Sequence, residues 1–189
     1  MNNKFTAIYS TAEIREIEQF ATSLHHPSAL MEKAGFAAAE VARDKLLTPG
    51  KTKVLVLAGP GNTGGDAFVV ARHLQAWWFK VTLVFTGERA TLSSDAQQML
   101  DAWLTAGGEI FAEIPKNEKW DAVIDGLFGI GLDHREGRNL TGKYLALVKA
   151  VNLMNLPVLA LDLPSGLGRV TGQLLCKTIR ADRNVTLIV

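Results

Sequence analysis

A single cysteine, Cys176, stands among 189 residues. The chain therefore cannot close a disulfide on itself, and a reducing, cytoplasmic setting is expected, with Cys176 packed as a small core residue. Charge of one sign is equally scarce: 20 Lys and Arg face 19 Asp and Glu, leaving +1. No Lys/Arg run forms the basic stripe that a nucleic-acid groove needs. Long hydrophobic runs are missing too. The most apolar stretch, residues 144–163, is broken by Lys149, Asn152, Asn155 and Pro157, and no basic segment followed by an apolar one opens the chain. Neither a membrane span nor a signal peptide is expected. Histidine is sparse and badly placed for a transition metal. His25 and His26 are adjacent and face apart, and His73 falls among apolar residues of a helix, where a packed or surface role is expected.

What is present is a core. With 48% hydrophobic and 21% charged residues, 189 residues suffice for one globular domain. Ser10-Thr-Ala-Glu13 is a capping-box pattern, followed by Ile14, Ile17, Ala21 and Leu24 on one face and a stop before Pro27. A second helix, from about 28 to 46, carries Leu30, Met31, Ala34, Val41 and Ala42, so residues 1–48 form an N-terminal helical extension. Strands near 53, 81, 109, 121, 157 and 184 then alternate with helices at 66–78, 95–106 and 141–154. That alternation predicts an α/β domain of three αβα layers, Rossmann-like, around a mostly parallel sheet. Trp77, Trp78 and Phe79 close one helix, where core packing is expected and a subunit contact is the alternative.

The most informative stretch is Gly59-Pro-Gly-Asn-Thr-Gly-Gly-Asp66, between the strand Lys53-Val-Leu-Val-Leu-Ala58 and a helix. Gly59, Gly61 and Gly64 fit G-x-G-x-x-G, which allows a tight turn, close approach of a diphosphate and close helix–strand packing. Asn62 adds an amide, and Asp66 a carboxylate at the expected helix start, where the dipole stabilises it. That charge disfavours an ordinary dinucleotide pose. The plain alternative is a turn that only joins strand to helix, although a turn needs fewer glycines.

Two other strand ends match. Asp121-Ala-Val-Ile-Asp125 runs into Gly126-Leu-Phe-Gly129-Ile-Gly131-Leu132, and Pro157-Val-Leu-Ala-Leu-Asp162 into Leu163-Pro164-Ser165-Gly166-Leu167. In an open parallel sheet ligands bind at the carboxyl ends of the strands, where Asp125, Asp162 and the 59–66 loop converge. Either Asp alone could simply cap the next helix or turn. Pro164 keeps Leu163 out of helical geometry and stiffens the turn after Asp162.

These segments, with Leu30-Met-Glu-Lys-Ala-Gly35, resemble the YjeF N-terminal domain family, the NAD(P)H-hydrate epimerases, from about residue 10 onward. The resemblance implies repair of the hydrated nicotinamide cofactors NADHX and NADPHX. Their R and S epimers are interconverted so that an S-specific, ATP- or ADP-dependent dehydratase, fused C-terminally in some members, can restore the cofactor. It places substrate contacts on Asn62, Thr63, Gly64, Gly65 and Asp66, on Gly129, Ile130, Gly131, Leu132, Asp133, His134 and Arg135, and on Asp162. It places a potassium (K+) site on Thr63, Asp125 and Ser165, and implies a homodimer.

Epimerisation at C6 needs the C6–O bond to break with help from the ring nitrogen, and water to add to the other face. One carboxyl group can serve both steps, giving a proton to the leaving hydroxide and then activating the water. Asp162 is the candidate, with a pKa that partial burial would have to raise. Asp125 is better placed as a ligand to a hard cation, which prefers hydroxyl, carboxylate and carbonyl oxygens. His134 and Arg135 could meet substrate phosphates; a solvated loop is the alternative.

The chain departs from the family pattern at three places. Thr63 replaces a usual Asn, Ala67 a usual Gly, and Gly168 an acidic or amide residue after the Pro-Ser-Gly-Leu turn. The terminal strand pattern, Asn184-Val-Thr-Leu-Ile-Val189, suggests that the sequence stops short of a further segment, as the front half of a bifunctional protein would. A redox Rossmann enzyme is disfavoured, because no acid stands at the end of the second strand to meet a ribose; Val84, Phe85 and Thr86 are there, with Glu88 only later. A non-catalytic nucleotide- or protein-binding module on the same fold is the remaining alternative.

Overall fold

The structure is a computed structural model, and it describes residues 27–129, 142–167 and 177–186, together with Glu13, Glu16, Ile17 and Phe20. Those four residues are helical, and the rest of the expected first helix lies outside the described residues. Cys176, His25, His26 and Gly168 lie outside them as well.

Six strands form one sheet: β1 (Lys53–Ala58), β2 (Lys80–Phe85), β3 (Ile110–Phe111), β4 (Ala122–Gly126), β5 (Val158–Leu161) and β6 (Arg183–Val185). The order is β3-β2-β1-β4-β5-β6, and every pair is parallel. The helices are α1 (Pro27–Lys45), α2 (Asn62–Ala76), α3 (Ser94–Thr105) and α4 (Gly142–Met154), with a short 3-10 turn at Arg89–Thr91.

β1 is central because both of its faces are apolar. Val54, Val56 and Ala58 enter the core shared with α1, α2 and α3, whereas Leu55 and Leu57 enter the core shared with α4. This period of two, with apolar residues on both sides, is what a doubly covered parallel strand requires. β1 is held to β4 at its start by the Asp121 carboxylate, which accepts from the N–H groups of Thr52 and Lys53 at 2.8 and 2.9 Å.

α2 is buried through its first two and a half turns, from Thr63 to Ala71. It is a core helix pressed between the sheet and α1 rather than an amphipathic surface helix. The Leu30-to-Gly35 segment explains how α1 docks. Met31 lies against Gly65, Gly35 against Val69, and the Glu32 carboxylate accepts from Arg72 Nη2 and His73 Nε2, the latter at 2.7 Å. Burial opposes ionisation of Glu32, but these two bonds hold its carboxyl below the ordinary carboxylate value. His73 is thus a packed anchor of α1. Of the aromatic trio, Trp77 and Phe79 pack on the core, but Trp78 is 91% exposed with φ +69°. The expectation of core packing fails there.

Candidate functional site

The order of strands reverses between β1 and β4, and the carboxyl ends of these two strands and of β5 hold the residues of interest. This is the switch point where ligands of doubly wound sheets bind.

At the end of β1 the helix begins earlier than its glycines suggest. α2 starts at Asn62, and Gly61 is an extended N-cap without a side-chain bond. Asn62, Thr63, Gly64 and Gly65 are therefore the first turn of the helix rather than a loop before it. The N–H groups of Gly64 and Gly65 turn back to the Gly61 carbonyl at 3.0 and 3.3 Å, and those of Asn62 and Thr63 have no helical acceptor. Asp66 is correspondingly displaced. It lies a full turn inside α2 and is buried, so it is not the N-terminal acid that its sequence position predicts, and the expected repulsion of a diphosphate loses its basis. Glycine is needed at 64 because a Cβ there would collide with the Gly59 carbonyl. The helix start is welded to the strand exit by backbone contact.

At the end of β5, Asp162 adopts φ +64°. Its neighbour Leu163 donates from N–H to the Leu161 carbonyl at 2.9 Å. Together these describe a γ-turn in its rarer, strained form, a conformation that costs a non-glycine residue about 1–3 kcal/mol and clusters at functional sites. Two bonds from β6 hold it: the Asp162 N–H donates to the Val185 carbonyl at 2.9 Å, and Asn184 Nδ2 donates to the Asp162 carbonyl at 2.6 Å. The carboxylate accepts from Thr63 Oγ1 at 3.2 Å. Gly129 lies against both partners, and a Cβ there would strike Thr63 Oγ1 and Asp162 Oδ2. Thr63, Gly129 and Asp162 are thus one constellation. Ile130, Gly131, Leu132, Asp133, His134 and Arg135 lie outside the described residues.

Behind it, at the end of β4, Asp125 is wholly buried. It accepts from Ser165 Oγ at 2.7 Å, from Ser165 N–H at 2.8 Å and from Leu127 N–H at 3.3 Å. Burial pushes its carboxyl up to about 6, and these three bonds only partly oppose the shift. Ser165 Oγ also accepts from the Phe128 N–H at 3.1 Å. Asp125 and Ser165 are directly bonded, whereas Thr63 joins the group through Asp162 and Gly129. The donor set suits a hard monovalent cation: a carboxylate, two hydroxyls and nearby carbonyl oxygens. No cluster of three His, Cys, Asp or Glu exists among the described residues.

Two residues had no functional reading from the sequence. Ser93 caps α3, accepting from the Ala96 N–H, and donates to Asn62 Oδ1 at 3.0 Å. Asn184 reaches back from β6 to the strained turn. The signals were faint: a Ser-Ser-Asp helix start for one, and for the other an Asn inside a strand pattern that disfavours it.

Comparison with known proteins completes these observations. The family described as YjeF-related protein N-terminus matches residues 27–189. An NAD(P)H-hydrate epimerase of Bordetella pertussis is 44% identical over 161 residues, which are 85% of this chain and 67% of that protein. The bifunctional NAD(P)H-hydrate repair enzyme Nnr of Thermosynechococcus vestitus is 36% identical over 189 residues, 99% of this chain but 36% of that protein. A crystal structure of a yeast protein, at 22% identity, superposes with a TM-score of 0.81 over 96% of this chain and 80% of its own. That likeness carries the fold.

Proposed function

The chain belongs to the YjeF-related N-terminal family, and from that premise we propose that it is an NAD(P)H-hydrate epimerase, interconverting the R and S forms of NADHX and NADPHX. The observation that carries the proposal is the carboxylate of Asp162, held in a strained left-handed turn against Thr63 Oγ1 at the switch point of the sheet. Strained residues held in place by their surroundings cluster at active sites.

In the proposed reaction the lone pair of the ring nitrogen expels the C6 hydroxyl. Protonated Asp162 gives that oxygen its proton, so that water leaves and an iminium ring remains. The Asp162 carboxylate then takes a proton from a water adding to the opposite face, which restores the acid and inverts C6. Thr63 orients the carboxylate. Asn62, with Oδ1 engaged by Ser93, keeps its amide N–H groups for the substrate, and Gly129 leaves room beside Asp162. Asp125, Ser165 and Thr63 are the residues that would hold K+, which would supply the positive charge that the buried Asp125 carboxylate lacks. Contacts from Asp66 and from residues 130–135 belong to the same proposal. So do coupling to an ATP- or ADP-dependent dehydratase and a cytoplasmic setting; among the described residues no helix is long and apolar enough to cross a membrane. A homodimer is included, supported by exposed Trp78 and Phe36 at one end of the α1–α2 layer.

The test is a coupled assay. An S-specific dehydratase consumes the S form of mixed NADHX to a plateau, and this protein is then added with K+. Rapid loss of the residual R form is expected, and Asp162→Asn should lower kcat by about 10²–10⁴ with nucleotide binding retained, because Asn tolerates the left-handed turn. A folded wild-type protein that leaves the plateau unchanged would turn the assignment toward a binding module.

A further inference from the structure

α4 opens with a charge at the wrong end. Lys143 is its second residue, no acid stands in its first turn, and a cation there opposes the helix dipole. A local rule broken without a local benefit points to a role elsewhere. Lys143 forms no ion pair among the described residues. Its Nζ instead donates to the Thr86 carbonyl just beyond β2. Thr86 in turn is tied to the exit of β1, since its N–H donates to the Ala58 carbonyl at 3.0 Å and its Oγ1 donates to the same oxygen at 3.3 Å. The ammonium therefore sits beside the Gly59–Gly61 turn, on the far rim of the crevice from Asp162.

Its placement is anchored to the site. The Tyr144 ring lies 5.5 Å from Lys143 Nζ and 4.8 Å from the Phe128 ring, and the Phe128 N–H donates to Ser165 Oγ. From the end of β5 to the end of β2 there are three strand spacings of about 4.8 Å, roughly 14 Å in all. A dinucleotide whose nicotinamide ring meets Asp162 is long enough to bring its phosphates to that rim when it lies along the strand ends.

We propose that Lys143 is a phosphate-binding residue for the adenosine half of the substrate, its ammonium exchanging or sharing the Thr86 carbonyl for a phosphate oxygen. The identity of the dinucleotide rests on the epimerase assignment; the phosphate contact does not. An ammonium has three donors and one is engaged here, so a phosphate can be added without breaking a pair. A charge-assisted bond of this kind strengthens binding by about tenfold or more.

The experiment measures equilibrium binding of ADP-ribose and of its 2′-phosphorylated form, and KM for NADHX and NADPHX, in wild type and in Lys143→Gln, Lys143→Arg and Lys149→Gln, all verified as folded by thermal melting. Lys149 is exposed on the same helix and controls for net charge. The expected result is about tenfold weaker binding and higher KM in Lys143→Gln, unchanged kcat, recovery in Lys143→Arg, and no effect in Lys149→Gln. Loss with both nucleotides assigns the contact to the diphosphate; loss confined to the 2′-phosphorylated form assigns it to the 2′-phosphate. Binding that depends on Lys143 in a protein without epimerase activity would leave this site standing and remove the epimerase assignment. No nucleotide binding by wild type, wild-type affinity in Lys143→Gln, or an equal loss in Lys149→Gln would overturn the inference.

Discussion

Asp125 holds a carboxyl that burial raises from 3.8 to about 6. Its folded value lies above its unfolded one, so the native state holds this proton more tightly than the unfolded chain does. The contribution to stability is fully present below pH 4 and is lost as pH rises to about 6, a cost of about 3 kcal/mol above that point. A cation pairing with ionised Asp125 must displace the proton, so its affinity should rise with pH up to about 6 and then level off. Thermal melts with K+, against an equal concentration of tetramethylammonium, should show a K+-dependent gain at pH 7.5 that disappears at pH 4.5 and is missing in Asp125→Asn. An equal gain at both pH values would remove the cation from this position. At the neighbouring strand end, Asp162 shows how much one dihedral angle matters. Its side chain reaches Thr63 because φ is +64°, and Asn184 and Val185 hold the peptide that makes this so.

The start of α2 is the element on which the site depends. Helix propensity alone predicts that Gly64→Ala stabilises the protein by about 1 kcal/mol. The backbone contact predicts the reverse. A Cβ at 64 meets the Gly59 carbonyl, whereas one at 61 meets open space. Gly64→Ala should therefore lower Tm by several degrees and activity at least tenfold, by lifting Thr63 away from Asp162. Gly61→Ala should cost about 1 kcal/mol or less, the difference between two N-cap residues. Melting curves and KM and kcat for the pair would decide, and a stabilised, active Gly64→Ala would show that the junction can relax.

At the scale of the whole molecule the two covering layers differ. α1, α2 and α3 bury one face of the sheet, and among the described residues α4 is the helix on the other. The first layer ends in an aromatic surface: Phe36 meets His73 and Trp77 edge-on at 4.8 and 5.8 Å, Arg43 lies over Trp77, and Trp78 stands 91% exposed beside them. Exposed apolar residues gathered into one patch mark contact surfaces. Light scattering should give the mass of a dimer, and Trp78→Lys should give a monomer with unchanged helical content. A wild-type monomer at micromolar concentration would assign this surface to something other than a second copy.

What the sequence determined by itself was the order of the elements and the glycines and acids placed at three strand exits. Apolar runs such as Lys53–Ala58, and the glycines and acids that follow them, are local signals, and local signals survive without a structure. The departures arise where the path of the chain, rather than its residue pattern, decides. Asp66 falls inside α2 because the helix starts where the chain leaves the sheet, at Asn62, and that point is decided by Gly64 packing on the Gly59 carbonyl. Trp78 is exposed because the chain turns left-handed after α2 on its way into β2. Asn184, Ser93 and Lys143 gain their meaning from partners 22, 31 and 57 residues away. Only the tertiary structure could decide those, since a hydrogen bond across such separations depends on the fold that closes it and leaves no periodic trace along the chain.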